Sequence, residues 1–485
     1  MAAIERTTPY PEGLYREQLP TWLTFAATWA GHAVPDTSRP FRYADLGCGI
    51  GLTACWVKRL YPHAEVVGID ADPEHIRASR ALAEAMSVDV TFHHARFDDA
   101  PPLPPIDIAV AHGVWSWIDS DARTALVQLL HRSLASGALA YVDYNTLPGR
   151  TDWVPVAHLL RTLVPSHEAA NDVEGLTRAM TAVGALDGHG FFGTRPGLVA
   201  GLQEQLRRHP GHTVHEFLSP GWEAYLLADV AGDLAAADLS YVASTHLSET
   251  VEALRTTDEE RGLLAPHPDT VTRHTVRDFL RSTVFRHDLF QRDARRVSAD
   301  GRTAALLARH YALGCDPKHV SFDAPGGYAT SPLPPDTVEL LQALDGPPST
   351  GRALAAALGW SDDVVVERLG LLCGAGYVFP AEASLFPEAV SDLMARNVDQ
   401  LPVLSPSGME LVFHRVDRAI WRAWGADDVV GRAVELLHAE GHHLVTTSGD
   451  ADAQRAAMGM HLDAFHTAIP DMVRAGWTFQ DGHHA

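Results

Sequence analysis

Residues 43–52 read Tyr-Ala-Asp45-Leu-Gly47-Cys-Gly49-Ile-Gly51-Leu, an apolar run that ends in an acid and three alternating glycines. The run FRYADLGCG (41–49) reads as a buried strand, and LTACWVKRLY (52–61) reads as the helix that follows it. Glycines at such a junction permit a tight turn and let a ligand reach the backbone where a Cβ would collide. The alternation continues outward. AEVVGID (64–70), DVTFHHARFDD (89–99), IDIAVAHGVWSW (106–117) and ALAYVDYN (138–145) read as further strands, with helices over 74–86 and 121–134. Ser120 is the expected N-cap of the last helix, and Gly137 lies beyond its end. Buried runs alternating with helices predict an α/β fold on a mostly parallel sheet covered on both faces.

Acids stand at the C-terminal ends of three successive strands, the edge where open sheets bind ligands. Asp70 ends the second strand, 19 residues after Gly51, where a carboxylate can chelate two ribose hydroxyls. Asp98 follows the third strand and can accept from an adenine amino group while Phe97 packs beside it. The loop lacks the GxGxxG order and opens on a carboxylate, whereas a pyrophosphate seeks helix-terminal N–H groups without one. Asp45 therefore argues against a nicotinamide dinucleotide and for a cationic, phosphate-free ligand, S-adenosylmethionine.

The stretches YADLGCGIGL, VVGIDADPEHI, AHGVWSW and YVDYNTLPG, with HEFLSPGWEAYLLADV (215–230) and VRDFLRSTVFRHDLF (276–290), carry a resemblance. Together they resemble class I S-adenosylmethionine-dependent methyltransferases with a methyltransferase regulatory middle domain, a group similar to bacterial protein-lysine methyltransferase-like proteins. The resemblance covers roughly residues 8–295. It implies a Rossmann-like parallel-sheet core over 1–165, a helical middle domain over 166–325 and a mostly helical C-terminal domain over 326–485. It implies methionine-moiety contacts from Asp45, Gly47 and Gly49, with Gly51 in the same loop, and ribose binding by Asp70. Phe97 and Asp98 would meet the adenine with Ala71 or Asp72 alongside, and PYPEGLYRE (9–17) would fold over the cofactor through Tyr10, Tyr15 and Arg16.

Methyl transfer from a sulfonium needs an aligned lone pair and, for an ammonium or alcohol acceptor, somewhere for a proton to go. His112, at the end of the fourth strand, is both a cofactor neighbour and the candidate base, with an ordinary pKa near 6.5. Asp143, Tyr144 and Asn145, ending the fifth strand, are candidate site groups, Tyr144 and Asn145 for orienting an acceptor, and Trp115 and Trp117 read as walls. The expected acceptor is an amine or oxygen of a protein, a peptide or a small molecule. A natural-product O- or N-methyltransferase and a non-catalytic cofactor-binding scaffold are the alternatives.

With 38 basic against 61 acidic residues the formal charge is -23, which repels a phosphate backbone, so no nucleic-acid partner is expected. Four scattered cysteines have no metal or disulfide spacing, and no metal is expected from the histidines around 438–466. No run of apolar residues is long enough to span a membrane, and the N-terminus lacks an apolar leader, so a cytoplasmic protein, with homo-oligomers allowed, is expected.

In the middle third, TVHEFL (213–218) and LSYVAS (239–244) are candidate strands, one or both of which would return to complete the core sheet. Apolar stripes predict helices over 197–208, 222–237 and 276–290. The Gly/Pro/Ser-rich stretch 321–336 is the expected linker, followed by three short helices and a strand that would suit a winged-helix-like module with a protein-contact or capping role. The last hundred residues are expected to be helical.

Overall fold

Apolar runs bounded by turns form the core strands in the order expected. In the computed structural model β1 (Arg42–Leu46), β2 (Glu65–Asp70), β3 (Thr91–His94), β4 (Ile106–Ala111) and β5 (Leu134–Asn145) are parallel, paired as β3-β2-β1-β4-β5. Described are residues 15–164 and 173–381 (without 209, 220, 316, 324–330 and 346–347), then 400–404, 410–414, 428–439, 458 and 462. Helix α1 (Pro20–Trp29) precedes the sheet; α2 (Leu52–Leu60), α3 (Pro73–Ala85) and α4 (Ser120–Ser133) connect its strands. Asp72 caps α3 by accepting from the Glu74 N–H at 2.8 Å. Asp119, one residue before the expected Ser120, caps α4 by accepting from the Ala122 N–H at 2.9 Å. Gly137 lies inside β5, because the chain enters the strand directly from α4 at Leu134.

Two strands from the middle of the chain complete this sheet. β6 (Leu239–Ser244) is one of the two candidate strands; β7 (Phe285–Arg292) falls where a helix was expected. The expected helix over 276–290 stops at Arg281, where Ser282 takes a left-handed φ of 50°. The strand that follows inserts antiparallel between β5 and β6, giving seven strands in all. The other candidate, 213–218, is the second half of a helix, Pro210–Leu218. That helix packs with α5 (Trp153–Leu163), α6 (Val173–Gly184) and the helix Leu198–Arg208 around a separate core of Leu160, Leu176, Val183, Leu202, Phe217 and Trp222.

Downstream, helices Thr337–Ala343, Gly351–Leu358 and Asp362–Gly374 are followed by β10 (Val378–Ala381), as the sequence suggests for a winged-helix-like module. Its three-stranded sheet runs β10-β8-β9, with β8 at His310–Leu313 and β9 at Ser349–Thr350. The central strand thus comes from upstream of the Gly/Pro-rich stretch, tying the module to the preceding chain. A hairpin of β11 (Gln400–Leu404) and β12 (Glu410–His414) corrects the all-helical expectation for the last hundred residues. Among the described residues no helix is long and apolar enough to cross a membrane.

Candidate active site

The loop between β1 and α2 is shaped by contacts that leave no room for side chains. Gly47 and Gly51 have φ of +85° and +74°, in the left-handed region. A Cβ on Gly47 would meet Val114 Cγ2 at 2.5 Å, and one on Gly51 would meet Ser79 Cβ at 2.6 Å and Phe92 Cζ at 2.7 Å. The Gly47 and Cys48 N–H groups donate to the Ile69 carbonyl at 2.8 and 3.0 Å, fastening the loop to the end of β2. Gly51 is also the N-cap of α2. Burial and the neighbouring Asp45 and Asp70 push the Cys48 thiol far up, so it is a packing group.

Asp70 fastens the same loop from the other side. Its Oδ2 accepts from the Gly49 N–H at 2.9 Å, and its Oδ1 from the Asp72 N–H at 2.8 Å and the His75 ring at 3.3 Å. Burial alone would raise its pKa, but these donors outweigh it and hold the carboxyl below the usual range. A carboxylate has about four lone-pair positions, so Asp70 keeps acceptor capacity for a ribose hydroxyl. The β3 end lies beside it: the Ala95 N–H donates to the Asp70 carbonyl at 3.0 Å and the His94 ring contacts the Ala71 carbonyl at 3.1 Å. This brings Ala71, Phe97 and Asp98 to one edge. Phe97 is half-buried against the sheet core, and Asp98 is exposed with Arg96 at 3.3 Å.

Asp45 is buried, and burial pushes its carboxyl up to about 7, with Asp70 adding and His112 subtracting. A buried acid so disfavoured as an anion suits a cationic partner. The Tyr15 ring centroid lies 4.5 Å from that of His112. Gln18, at the end of the helical turn Arg16–Gln18, accepts from Thr53 Oγ1 at 2.7 Å, while its buried Nε2 has no partner among the described residues. Arg16 lies over the Phe379 ring at 4.3 Å, linking this segment to the C-terminal module. Tyr10 lies outside the described residues.

The acidic loop, a glycine cradle that side chains would fill, the buried Asp45 and the unpartnered Gln18 amide fit the ammonium, sulfonium and ribose of S-adenosylmethionine. The same residues do not suit a pyrophosphate, because the anion would meet Asp45.

At the β4 and β5 ends, His112 Nδ1 is in ion-pair contact with Asp143 Oδ2. Asp143 is 0% exposed and also accepts from the Gly113 N–H at 2.7 Å and the Tyr141 hydroxyl at 3.0 Å. Burial would lower the His112 pKa, but Asp143, Asp45 and Glu17 together raise it above the ordinary value. The same pairing, against burial, holds Asp143 low. Asn145, 0% exposed, has neither its Oδ1 nor its Nδ2 partnered among the described residues, and Ser116 Oγ accepts from its backbone N–H at 2.8 Å.

Tyr144 stands apart from the other candidates. Alternate residues of a strand face opposite sides, and Tyr144 turns away from Asp143 and Asn145. It donates to Asp288 Oδ2 at 2.5 Å in a buried cluster with Arg286, Asp278 and Tyr241. Tyr141 and His287 are site groups that sequence reasoning missed; Asp143, a candidate at the end of the fifth strand, is joined to them. The helix expected over 276–290 hides His287 from a sequence reading.

A separate cleft of about 560 Å³ is bounded by Leu147, Val154, His158, Phe191, Arg195 and Glu223. The chain runs into it directly, since the Tyr225 N–H donates to the Asn145 carbonyl and the Leu147 N–H to the Tyr225 carbonyl, at 2.9 and 3.0 Å.

Comparison with known proteins agrees with this geometry. Residues 44–137 match the family described as methyltransferase domain, and residues 212–292 match the predicted methyltransferase regulatory domain. PKMT2 from Rickettsia typhi, solved in complex with AdoHcy, superposes with a TM-score of 0.70 over 96% of this chain and 99% of its own, at 15% identity, a likeness of fold. An uncharacterized protein of Synechocystis is 28% identical over 391 residues, 77% of this chain and 75% of its own. The trans-aconitate 2-methyltransferase of Streptomyces coelicolor is 28% identical over 196 residues, 40% of this chain and 60% of its own.

Proposed function

The chain being a class I S-adenosylmethionine-dependent methyltransferase with a regulatory domain, we propose that its acceptor is an amine, presented by a protein or peptide side chain. The observation that carries this reading is the His112 imidazole seated against the fully buried Asp143. An amine reaches the site as an ammonium and must lose a proton to expose its lone pair, whereas a carboxylate acceptor needs no base. Asp143 takes the Nδ1 side of His112, which leaves the Nε2 lone pair of the neutral ring to receive that proton. The charged groups that act on His112 are Asp143, Asp45 and Glu17, all acidic, and they favour a cation over a carboxylate.

When bound, S-adenosylmethionine supplies an activated methyl group on a sulfonium. The chain's own part is placement. Asp45 and the glycine loop hold the amino-acid end, Asp70 the ribose, and Phe97 with Asp98 and Ala71 the adenine. Asn145, two residues along β5 from Asp143 and on the same face, offers a donor and an acceptor for orienting the incoming amine. Burial of Asp45 and Asp143 lets the hydrogen bonds made there act in a low dielectric.

The test is methyl transfer from labelled S-adenosylmethionine to a mixed panel of lysine-bearing peptides, free amines and small carboxylic acids including trans-aconitate. Label on amines, lost in His112→Gln, is expected. Label confined to carboxylates or hydroxyls would overturn the amine reading.

A further inference from the structure

Strand β7 belongs to the segment that matches the regulatory domain, and His287 on it pairs directly with Asp143 of β5. Residues opposite each other in an antiparallel pair share a face, so Tyr141, Asp143 and His287 stand on one side of the sheet. The Tyr141 hydroxyl is 3.0 Å from Asp143 Oδ2 and 2.8 Å from His287 Nδ1. It has one proton to give. Ionised Asp143 can only accept, so the hydroxyl donates there and must itself accept from His287. That fixes the Nδ1–H tautomer of His287. Asp143 then accepts from the Tyr141 O–H and the Gly113 N–H and is in ion-pair contact with His112 Nδ1.

We infer that His287, acting through Tyr141, is a positioning residue of the methyl-transfer site, holding Asp143 so that His112 keeps its tautomer and basicity. The inference rests on the reading of His112 as the base. It gives the regulatory segment a direct part in the chemistry: a strand of that segment reaches the base through two hydrogen bonds and an ion-pair contact. The titratable groups acting on this chain of contacts are Glu17 from the N-terminal turn, Asp45 from β1, Asp288 of β7, which acts on Tyr141, and His246, whose ring centroid is 6.2 Å from that of His287. The aromatic walls are Tyr15 over His112 and Phe285 against His287, with ring centroids 4.5 and 4.9 Å apart. Burial keeps His287 below its ordinary pKa, so it enters as a neutral donor.

The effect is one of charge distribution. Removing a donor from Asp143 leaves more of its charge for His112 and moves the His112 titration upward. The measurement is an NMR titration of the full chain, labelled in its histidine rings, with S-adenosylhomocysteine bound. The His112 signal is assigned by its loss in His112→Gln. Tyr141→Phe is expected to raise the His112 midpoint by about 0.5 to 1 pH unit, and His287→Ala to raise it by less. His287→Asn keeps an N–H near the Nδ1 position and restores the wild-type midpoint; His287→Gln places its donor further out and does not. Unchanged S-adenosylhomocysteine affinity shows that each variant is folded. A His112 midpoint that is the same in wild type, Tyr141→Phe and His287→Ala overturns the inference. Failure of the base itself reads differently: His112→Gln then transfers methyl groups at the wild-type rate, whatever the midpoints do.

Discussion

Replacing Asp45 by Asn separates the ligand's charge from its shape. Asp45 is held at about 7 by burial against an ordinary 3.8, so below neutral pH it is largely protonated and has no charge to offer an ammonium. Its ionised fraction rises about tenfold between pH 6 and pH 8 for a midpoint near 7, and affinity for S-adenosylhomocysteine should rise with it, by up to about tenfold. Proton release on binding accompanies this rise, because the ligand's cation favours the ionised form. Asp45→Asn removes a charged hydrogen bond of about 1.5–3 kcal/mol, a loss of roughly 10- to 100-fold in affinity at pH 8, and flattens the pH dependence.

The stability of the unliganded protein should move the other way. A carboxyl with a raised folded pKa binds its proton more tightly folded than unfolded, so its contribution is present at low pH and is lost as pH rises from 3.8 through about 7. At 1.36 kcal/mol per unit the full loss is at most about 4 kcal/mol, shared with the coupled Asp70 and His112. Asp45→Asn should therefore melt higher than wild type at pH 8, with a smaller difference at pH 5. Calorimetric titration and thermal melts over pH 5–8 read both effects. A wild-type affinity that is flat from pH 6 to 8, or an Asn variant that binds as tightly as wild type, refutes the reasoning.

Other substitutions probe the neighbouring contacts. Gly51→Ala forces a Cβ to within 2.7 Å of Ser79 and Phe92 at a left-handed φ, and should cost about 2–3 kcal/mol in denaturant unfolding and weaken S-adenosylhomocysteine binding. Tyr144→Phe breaks the 2.5 Å hydrogen bond to Asp288; it should lower stability by about 1–3 kcal/mol and leave cofactor affinity and the pH profile unchanged. With an amine acceptor, kcat should rise with pH through a midpoint above the ordinary 6.5 of histidine, since the base must be neutral and Asp143 raises it. His112→Gln should abolish that limb and lower kcat about 10²- to 10⁴-fold.

The five parallel strands and the glycine loop were legible because their signals are local: apolar runs, a glycine cluster and acids at the ends of the first three strands. β7 was not. Its residues FRHDLFQR alternate, yet both faces are buried, and the outward polar face expected of an edge strand is missing. Arg286 and Asp288 satisfy each other at 2.6 Å and Arg286 reaches Asp278 at 2.8 Å, so charges that read as solvent-facing helix are interior. The helix Pro210–Leu218 was ambiguous for the opposite reason: TVHEFL is too short for periodicity to separate strand from helix. Within the site, Asp45, Asp70, His112 and Asp143 follow from their positions at strand ends. The place of His287 beside Asp143 depends on strand pairing between residues far apart in sequence, and only the fold reveals it. The same pairing explains why Tyr144, one residue from Asp143, lies on the other face.

The most direct test of the central claim is a crystal structure of the full chain with S-adenosylhomocysteine. The account predicts the ligand's ammonium on Asp45, its ribose hydroxyls on Asp70, its adenine beside Phe97 and Asp98, and its sulfur facing His112. A ligand bound elsewhere, or one whose ribose hydroxyls and ammonium lie away from both carboxylates, would contradict it.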